Sequence, residues 1–281
     1  MLPSVLPREL PTPCYVIGDA HLGIAPADAE RSLLAFLRGL PGRARSLVIM
    51  GDLFDFWFAW EHVMPRSGFR VLAALADVRE AGVEILWIGG NHDCWGGAQL
   101  AADTGAAYTL EPWEGRIGPW RCLLAHGDGL RDKEDAPYRR LRRVLRHPLA
   151  IRAFGWLHPD FASRVALASS DTSRHRRAGD EGRGLRAIGS ALLTAAGGPQ
   201  LVIHGHSHVP MLDPIGDGWY ANAGAWYLDQ QFLRIDDRTI TRLAWNESHR
   251  WADSAEGNVL DVGERSPEES PTERKEAVRR V

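Results

Sequence analysis

The sequence predicts an α/β layered fold, and three observations carry that expectation. Short apolar runs recur along the chain, segments of helical periodicity lie between them, and the runs end in glycine or histidine beside other polar residues. The runs are Cys14-Tyr15-Val16-Ile17, Leu47-Val48-Ile49-Met50, Val83 to Ile88, Cys122-Leu123-Leu124-Ala125 and Leu201-Val202-Ile203. Runs this short and this continuously apolar are expected of buried strands. Ala29 to Leu40 carries Leu33, Leu34, Leu37 and Leu40 at helical spacing. Phe69 to Glu80 carries Leu72, Leu75, Ala76 and Val78, and Gly82 punctuates its end. Alternating strands and helices argue for an α/β architecture. Polar residues placed just after such strands gather on one edge of the sheet.

The remaining composition bounds the function. The chain of 281 residues is long enough for a large buried core, and 44% hydrophobic with 25% charged residues is ordinary globular usage. A net charge of -3 gives no general attraction to nucleic acid, and no nucleic-acid partner is expected. Cys14, Cys94 and Cys122 are too few for a disulfide framework and point to a reducing compartment. Met1 to Pro13 is proline-rich without an apolar stretch, so no signal peptide is expected, and any membrane contact is expected to be peripheral.

Five motifs follow the apolar runs: Asp19-Ala20-His21, Gly51-Asp52, Gly90-Asn91-His92-Asp93, His126 and Gly205-His206-Ser207-His208. Singly, each is as well explained by a capping loop or an Asx turn. Together they bring carboxylates, an asparagine and histidines to the ends of several strands, beside glycines that allow sharp turns. Oxygen and imidazole donors without thiolate suit Mn²⁺, Fe or Zn²⁺. Two divalent ions need a shared ligand, and the Asp52 carboxylate is the natural bridge.

Taken in order, these motifs resemble the calcineurin-like metallophosphoesterases, from about residue 15 to 226. The resemblance implies a four-layer αββα sandwich with two metal ions, Mn²⁺ first among them with Fe or Zn as alternatives, at the strand ends. By match to the family motifs, Asp19, His21 and His208 would hold one ion, Asn91, His126 and His206 the other, and Asp52 would bridge. His92 would contact phosphate and protonate the leaving group, with Asp93 orienting it. Among the other polar residues, Asp55 reads either as orienting a ligand or as capping the following helix, with capping the preferred reading, and Asp128 as steadying its loop. His204 reads either as a partner of the site or as core. Trp57, Trp60 and Trp95 read as core or as a substrate platform. His62, His147, His158, His175 and His249 read as surface or structural residues.

The segment 130–193 reads as a helical cap inserted into a domain spanning 1–246, with a charged, disordered tail over 247–281. From Arg131 to Arg186 there are fourteen Lys/Arg against seven Asp/Glu, interleaved with leucines and aromatics. The order of residues from His126 through Tyr138, Arg142-Arg143 and Arg146-His147-Pro148 is similar to the UDP-2,3-diacylglucosamine pyrophosphatases of lipid A synthesis (the LpxH family). That resemblance implies a cytoplasmic enzyme, in peripheral contact with the inner membrane, releasing 2,3-diacylglucosamine 1-phosphate and UMP. Asn91, His92, Tyr138 and Ser173 would touch the substrate. The chain departs from many members by carrying His92 rather than arginine after the motif asparagine, and Asn222-Ala223-Gly224-Ala225-Trp226 rather than a Leu-Gly-Asp-Trp element. Both departures leave open a general metal-dependent phosphodiesterase or phosphatase acting on another nucleotide or phospholipid.

Overall fold

The continuous apolar runs are strands buried on both faces. In β2 (Cys14–Ile17) and β3 (Ser46–Ile49), Tyr15, Ile17, Leu47 and Ile49 point to a helical layer, while Cys14, Val16 and Val48 point to a second sheet. Period-two alternation of the side chains therefore supplies both cores from one strand. The computed structural model describes residues 6–132, 134–166, 180–245 and 258–264.

One sheet contains β2, β3, β4 (Glu84–Ile88), β5 (Ala107–Thr109), β11 (Gln231–Ile235), β12 (Thr239–Ala244) and β13 (Asn258–Glu264), in the order β13-β12-β11-β2-β3-β4-β5. Its β2–β5 half is parallel, with Val16 opposite Val48 and Val48 opposite Leu86. The second contains β1 (Glu9–Leu10), β6 (Trp113–Ile117), β7 (Trp120–Ala125), β8 (Leu201–His204), β9 (Met211–Ile215) and β10 (Gly218–Asn222), in the order β1-β6-β7-β8-β10-β9. Both are mixed, and β7, β8 and β10 run parallel to one another.

Helices cover the outer faces. On the first sheet, α1 (Ala27–Gly39) buries Leu33, Leu34, Phe36 and Leu37, and α2 (Phe69–Glu80) buries Val71, Leu72, Leu75 and Val78. Beside them, α3 (Gly97–Thr104) ends at left-handed Gly105. On the second sheet, α7 (Arg183–Thr194) lies against β8 and β10. A Cβ at Gly189 would sit 2.3 Å from the Tyr220 ring, so only glycine allows that approach. The α/β sandwich with helices outside both sheets is the architecture expected.

Two boundaries differ from expectation. The helix α7 belongs to the outer layer rather than to the cap, because its apolar face has a sheet to cover. The cap proper is α4 (Ala136–Leu145), α5 (Pro148–Gly155) and α6 (159–166). The presumed tail contains β13, an edge strand paired antiparallel with β12 and tied by Trp219 Nε1–H donating to Glu264 O at 2.9 Å. Its charges are placed on an exposed edge, where a strand needs little apolar alternation.

A candidate metal centre at the strand ends

The five motifs meet where β2, β3, β4, β7 and β8 end. Each aspartate of the centre has one carboxylate oxygen fixed by backbone. Asp19 Oδ2 accepts from His206 N–H at 3.0 Å, and Asp52 Oδ1 accepts from His92 N–H at 2.8 Å. The other oxygen of each, Asp19 Oδ1 and Asp52 Oδ2, is buried without a hydrogen-bond donor, as are Asn91 Oδ1 and His126 Nε2. Buried polar atoms are nearly always satisfied, so a convergence of such atoms marks a ligand site.

The histidines are oriented from behind. His126 Nδ1–H donates to Met50 O at 2.6 Å, which turns Nε2 to within 3.2 Å of Asp52 Oδ2. His21 Nδ1–H donates to Asp55 Oδ1 at 3.1 Å, and His208 Nδ1 lies 3.4 Å from the Tyr227 hydroxyl. The Nε2 atoms of His21 and His208 consequently face each other at 3.2 Å, with Asp19 Oδ1 3.3 Å from His208 Nε2. Asp19, His21 and His208 form one group of donor atoms within 4.8 Å of one another, and Asp52, His126 and His206 form a second. Adjacent oxygen and imidazole groups, held in their tautomers by hydrogen bonds on the far side, fit two divalent cations.

Backbone strain and close approach are concentrated here. Asp19, His21, Asp52, His206 and His208 have φ between 44° and 63°, and they are five of the seven non-glycine residues with positive φ among the described residues. Such conformations persist only where surrounding structure enforces them. Gly51 has φ 90°, and a Cβ there would lie 2.5 Å from His126 Nδ1. A Cβ at Gly90 would lie 2.1 Å from Asp52 Oδ1.

The electrostatics match a site built for positive charge. Burial works against the charge of Asp52, but His126, His92 and His21 hold its carboxyl well below the usual range. Burial likewise disfavours the His126 imidazolium, yet Asp52 beside it raises that pKa to about 10. Burial and the neighbouring Asp52 charge push Asp93 up to about 7.

Two expectations are corrected. Asp93 does not orient the His92 ring: its Oδ1 accepts from Gly90 N–H at 2.7 Å and its Oδ2 from Leu53 N–H at 3.0 Å, which locks two motif loops together. Asp55 does not cap a helix, because the next one begins only at Phe69 and lacks a side-chain cap. Instead Asp55 holds His21 through its carboxylate and His92 through its backbone oxygen, 2.7 Å from His92 Nδ1. The Gly-Asp-x-x-Asp spacing carried that signal. Tyr138 spends its hydroxyl on Asp128 Oδ2 at 2.7 Å. Ser173, His175 and His249 lie outside the described residues. His204 is core, its ring packed edge-on to Tyr220 at 5.6 Å. Trp57 is core as well, while Trp60 and Trp95 pack with Phe58 and Phe154 beneath the cap. His62, His147 and His158 are exposed. Sequence reasoning missed Tyr227 and the role of Asn222, whose Nδ2–H donates to Gly205 O and to Ser207 Oγ, each at 3.0 Å, and so shapes the Gly205–His208 turn.

A family model described as calcineurin-like phosphoesterase matches residues 12–210, the span that contains every candidate metal ligand of this centre. The chain belongs to that family. Within it, the chain is 32% identical over 254 residues to a UDP-2,3-diacylglucosamine hydrolase of Ralstonia nicotianae, covering 84% of this chain and 93% of that protein. It is 31% identical to the protein of the same name from Azotobacter vinelandii, over 79% of this chain and 93% of the relative. A Porphyromonas gingivalis protein, also so named, is 33% identical over 59% of this chain and 64% of its own length. This calcineurin-like phosphoesterase is a metal-dependent hydrolase whose His/Asp clusters are consistent with the dimetal site of the family.

Proposed function

We propose that the chain hydrolyses the pyrophosphate of UDP-2,3-diacylglucosamine, giving 2,3-diacylglucosamine 1-phosphate and UMP. The observation that carries the reading is the cap beside the centre, which combines exposed arginine with exposed apolar side chains. Arg140, Arg143, Arg152 and Arg164 are exposed, and so are Leu149, Trp156 and Phe161. Arginine forks suit phosphate oxygens, and the apolar residues suit acyl chains or the surface of a bilayer. Relatives named for this substrate, aligned over most of the chain, support the same choice. Among the described residues, no helix is long and apolar enough to cross a membrane, so the acyl chains would be met from the surface.

In this reading Asp19, His21 and His208 would hold one cation and Asn91, His126 and His206 the other, with Asp52 placed to serve as a ligand they share. When bound, such ions withdraw charge from phosphoryl oxygens and lower the pKa of water, which makes a nucleophile available near neutral pH. The residues do the positioning. Asp55 and Met50 O fix the rings of His21 and His126. The backbone N–H groups of His206 and His92 fix Asp19 and Asp52. His92, with Nδ1–H on Asp55 O, presents Nε2 3.9 Å from Asp52 Oδ2 and in its cationic form donates a proton to the departing oxygen. Water adds to one phosphorus, the bridging oxygen leaves on the other phosphate, and that oxygen takes the proton.

The test is UMP release by the Mn²⁺-loaded protein from UDP-2,3-diacylglucosamine, with Asp52→Asn as the inactive control. Hydrolysis of aryl phosphodiesters with no UMP release would instead favour the general phosphodiesterase reading, to which His92 and the Asn222–Trp226 segment already lean.

A further inference from the structure

The helix α4 has no buried residue, yet it lies over the loop that carries His126. Trp95 Nε1–H donates to Leu145 O at 2.9 Å and Arg139 donates to Gly129 O at 3.3 Å and Arg131 O at 2.6 Å, and beside these bonds runs a polar stripe. Tyr138, Arg142 and Arg146 follow one another at i, i+4 and i+8, on one face of the helix. All three reach the same carboxylate: Asp128 Oδ2 takes the Tyr138 hydroxyl at 2.7 Å, Arg142 at 3.4 Å and Arg146 at 3.7 Å. Arg142 also donates to Asp128 O at 3.1 Å. Asp128 is itself only 7% exposed, and it stands between Gly127 and Gly129, both at positive φ. Two residues earlier, His126 is held from the opposite side, with its ring on Met50 O and its carbonyl accepting from Gly205 N–H at 2.9 Å.

We propose that Asp128 is a positioning residue, the anchor that seats the cap over the metal centre while His126 is anchored separately by the core. The two functions are divided within three residues of one loop. A substrate long enough to need the cap depends on Asp128, and one that reaches only the centre does not. That dependence on substrate length rests on the phosphoesterase reading; the seating of α4 does not.

The experiment uses the full chain with Asp128→Asn, which keeps the shape and removes the charge. Hydrogen exchange of amides in 136–146 is expected to accelerate about 10-fold or more, since the charge-assisted bonds weaken, while α1 and α2 exchange as in the wild type. Bound Mn²⁺ per chain and kcat toward bis(p-nitrophenyl) phosphate are expected to stay within about twofold. For UDP-2,3-diacylglucosamine, KM rises and kcat changes little. Arg142→Gln gives the same exchange pattern, and the double variant accelerates exchange by less than the product of the two single effects, as expected of residues sharing an interaction. Unchanged exchange in 136–146 would overturn the proposal, as would acceleration spread equally through α1 and α2. Loss of bound Mn²⁺ alongside cap loosening would also overturn it, by showing that the two anchors are one. Failure of the wild type to hydrolyse either ester would refute the functional reading and leave the exchange result to decide the seating.

Discussion

Replacing Asp55 tests how the centre is supported. Asp55 is buried and accepts a hydrogen bond from His21 Nδ1 at 3.1 Å. Asp55→Ala removes a charge-assisted bond of about 1.5–3 kcal/mol. It also leaves the His21 ring free to turn Nε2 away from Asp19. At about 1.4 kcal/mol per decade, cation affinity should fall about 10- to 150-fold, in line with the loss of about 10- to 100-fold typical when a group supporting a metal-bound histidine is removed. Asp55→Asn, which retains an acceptor without the charge, should fall about half as far on the logarithmic scale. Calorimetric titration of the metal-free variants with Mn²⁺ gives the affinities, and the thermal midpoint of each metal-free variant reports folding separately. A variant that binds both ions as tightly as the wild type would refute the assignment. A fall in metal-free midpoint without any change in affinity would mean that Asp55 serves the fold and not the site.

Gly90→Ala should abolish metal loading, because its Cβ would fall 2.1 Å from Asp52 Oδ1; metal content of the purified variant checks this. His204 provides a pH dependence: burial lowers its pKa to about 4, while the unfolded imidazole titrates near 6.5. The unfolded chain therefore binds the extra proton first. Stability is full above about pH 6.5 and falls by up to about 3 kcal/mol as pH drops toward 4. His204→Leu should flatten that part of the profile in urea titrations, and an unchanged slope would contradict it. Cys14 and Cys94 have thiols pushed up to about 12 by burial, and Cys122 is raised similarly. At pH 8 the two buried thiols, Cys14 and Cys122, should thus react with a thiol reagent only as fast as the native protein opens; rapid labelling of either would show otherwise.

The parts of the fold that were legible in the sequence are those where one physical requirement dominates. Strands buried on both faces must be apolar throughout, so β2, β3, β4, β7 and β8 stand out, and the ligand motifs stand out because glycine and charge follow them directly. Helix α2 was bounded correctly because its apolar spacing and Gly82 agree. What was missed depends on tertiary context. Asp55 looks like a cap until the chain between it and Phe69 is seen to form a loop. Asp93 looks like a partner for His92 by adjacency, whereas its carboxylate is drawn to the backbone of Leu53 and Gly90. Nothing local marks Tyr227, which meets His208 only because α8 (Trp226–Asp229) follows β10. Strand β13 lacks apolar alternation, with Val259, Leu260 and Val262 all exposed on its solvent-facing edge, and α7 shares its amphipathic pattern with the cap helices although a sheet lies beneath it.

The donors of the centre come from both halves of the sandwich. Asp19, His21, Asp52 and Asn91 follow strands of one sheet, while His126, His206 and His208 follow strands of the other. The contact between His206 and Asp19 spans 187 positions of chain. A nascent polypeptide cannot close that rim until residue 208 has left the ribosome, so cation capture is a late event in its biogenesis. Once captured, the ions would rivet the two sheets at one end, and chelation should loosen that end before the opposite one.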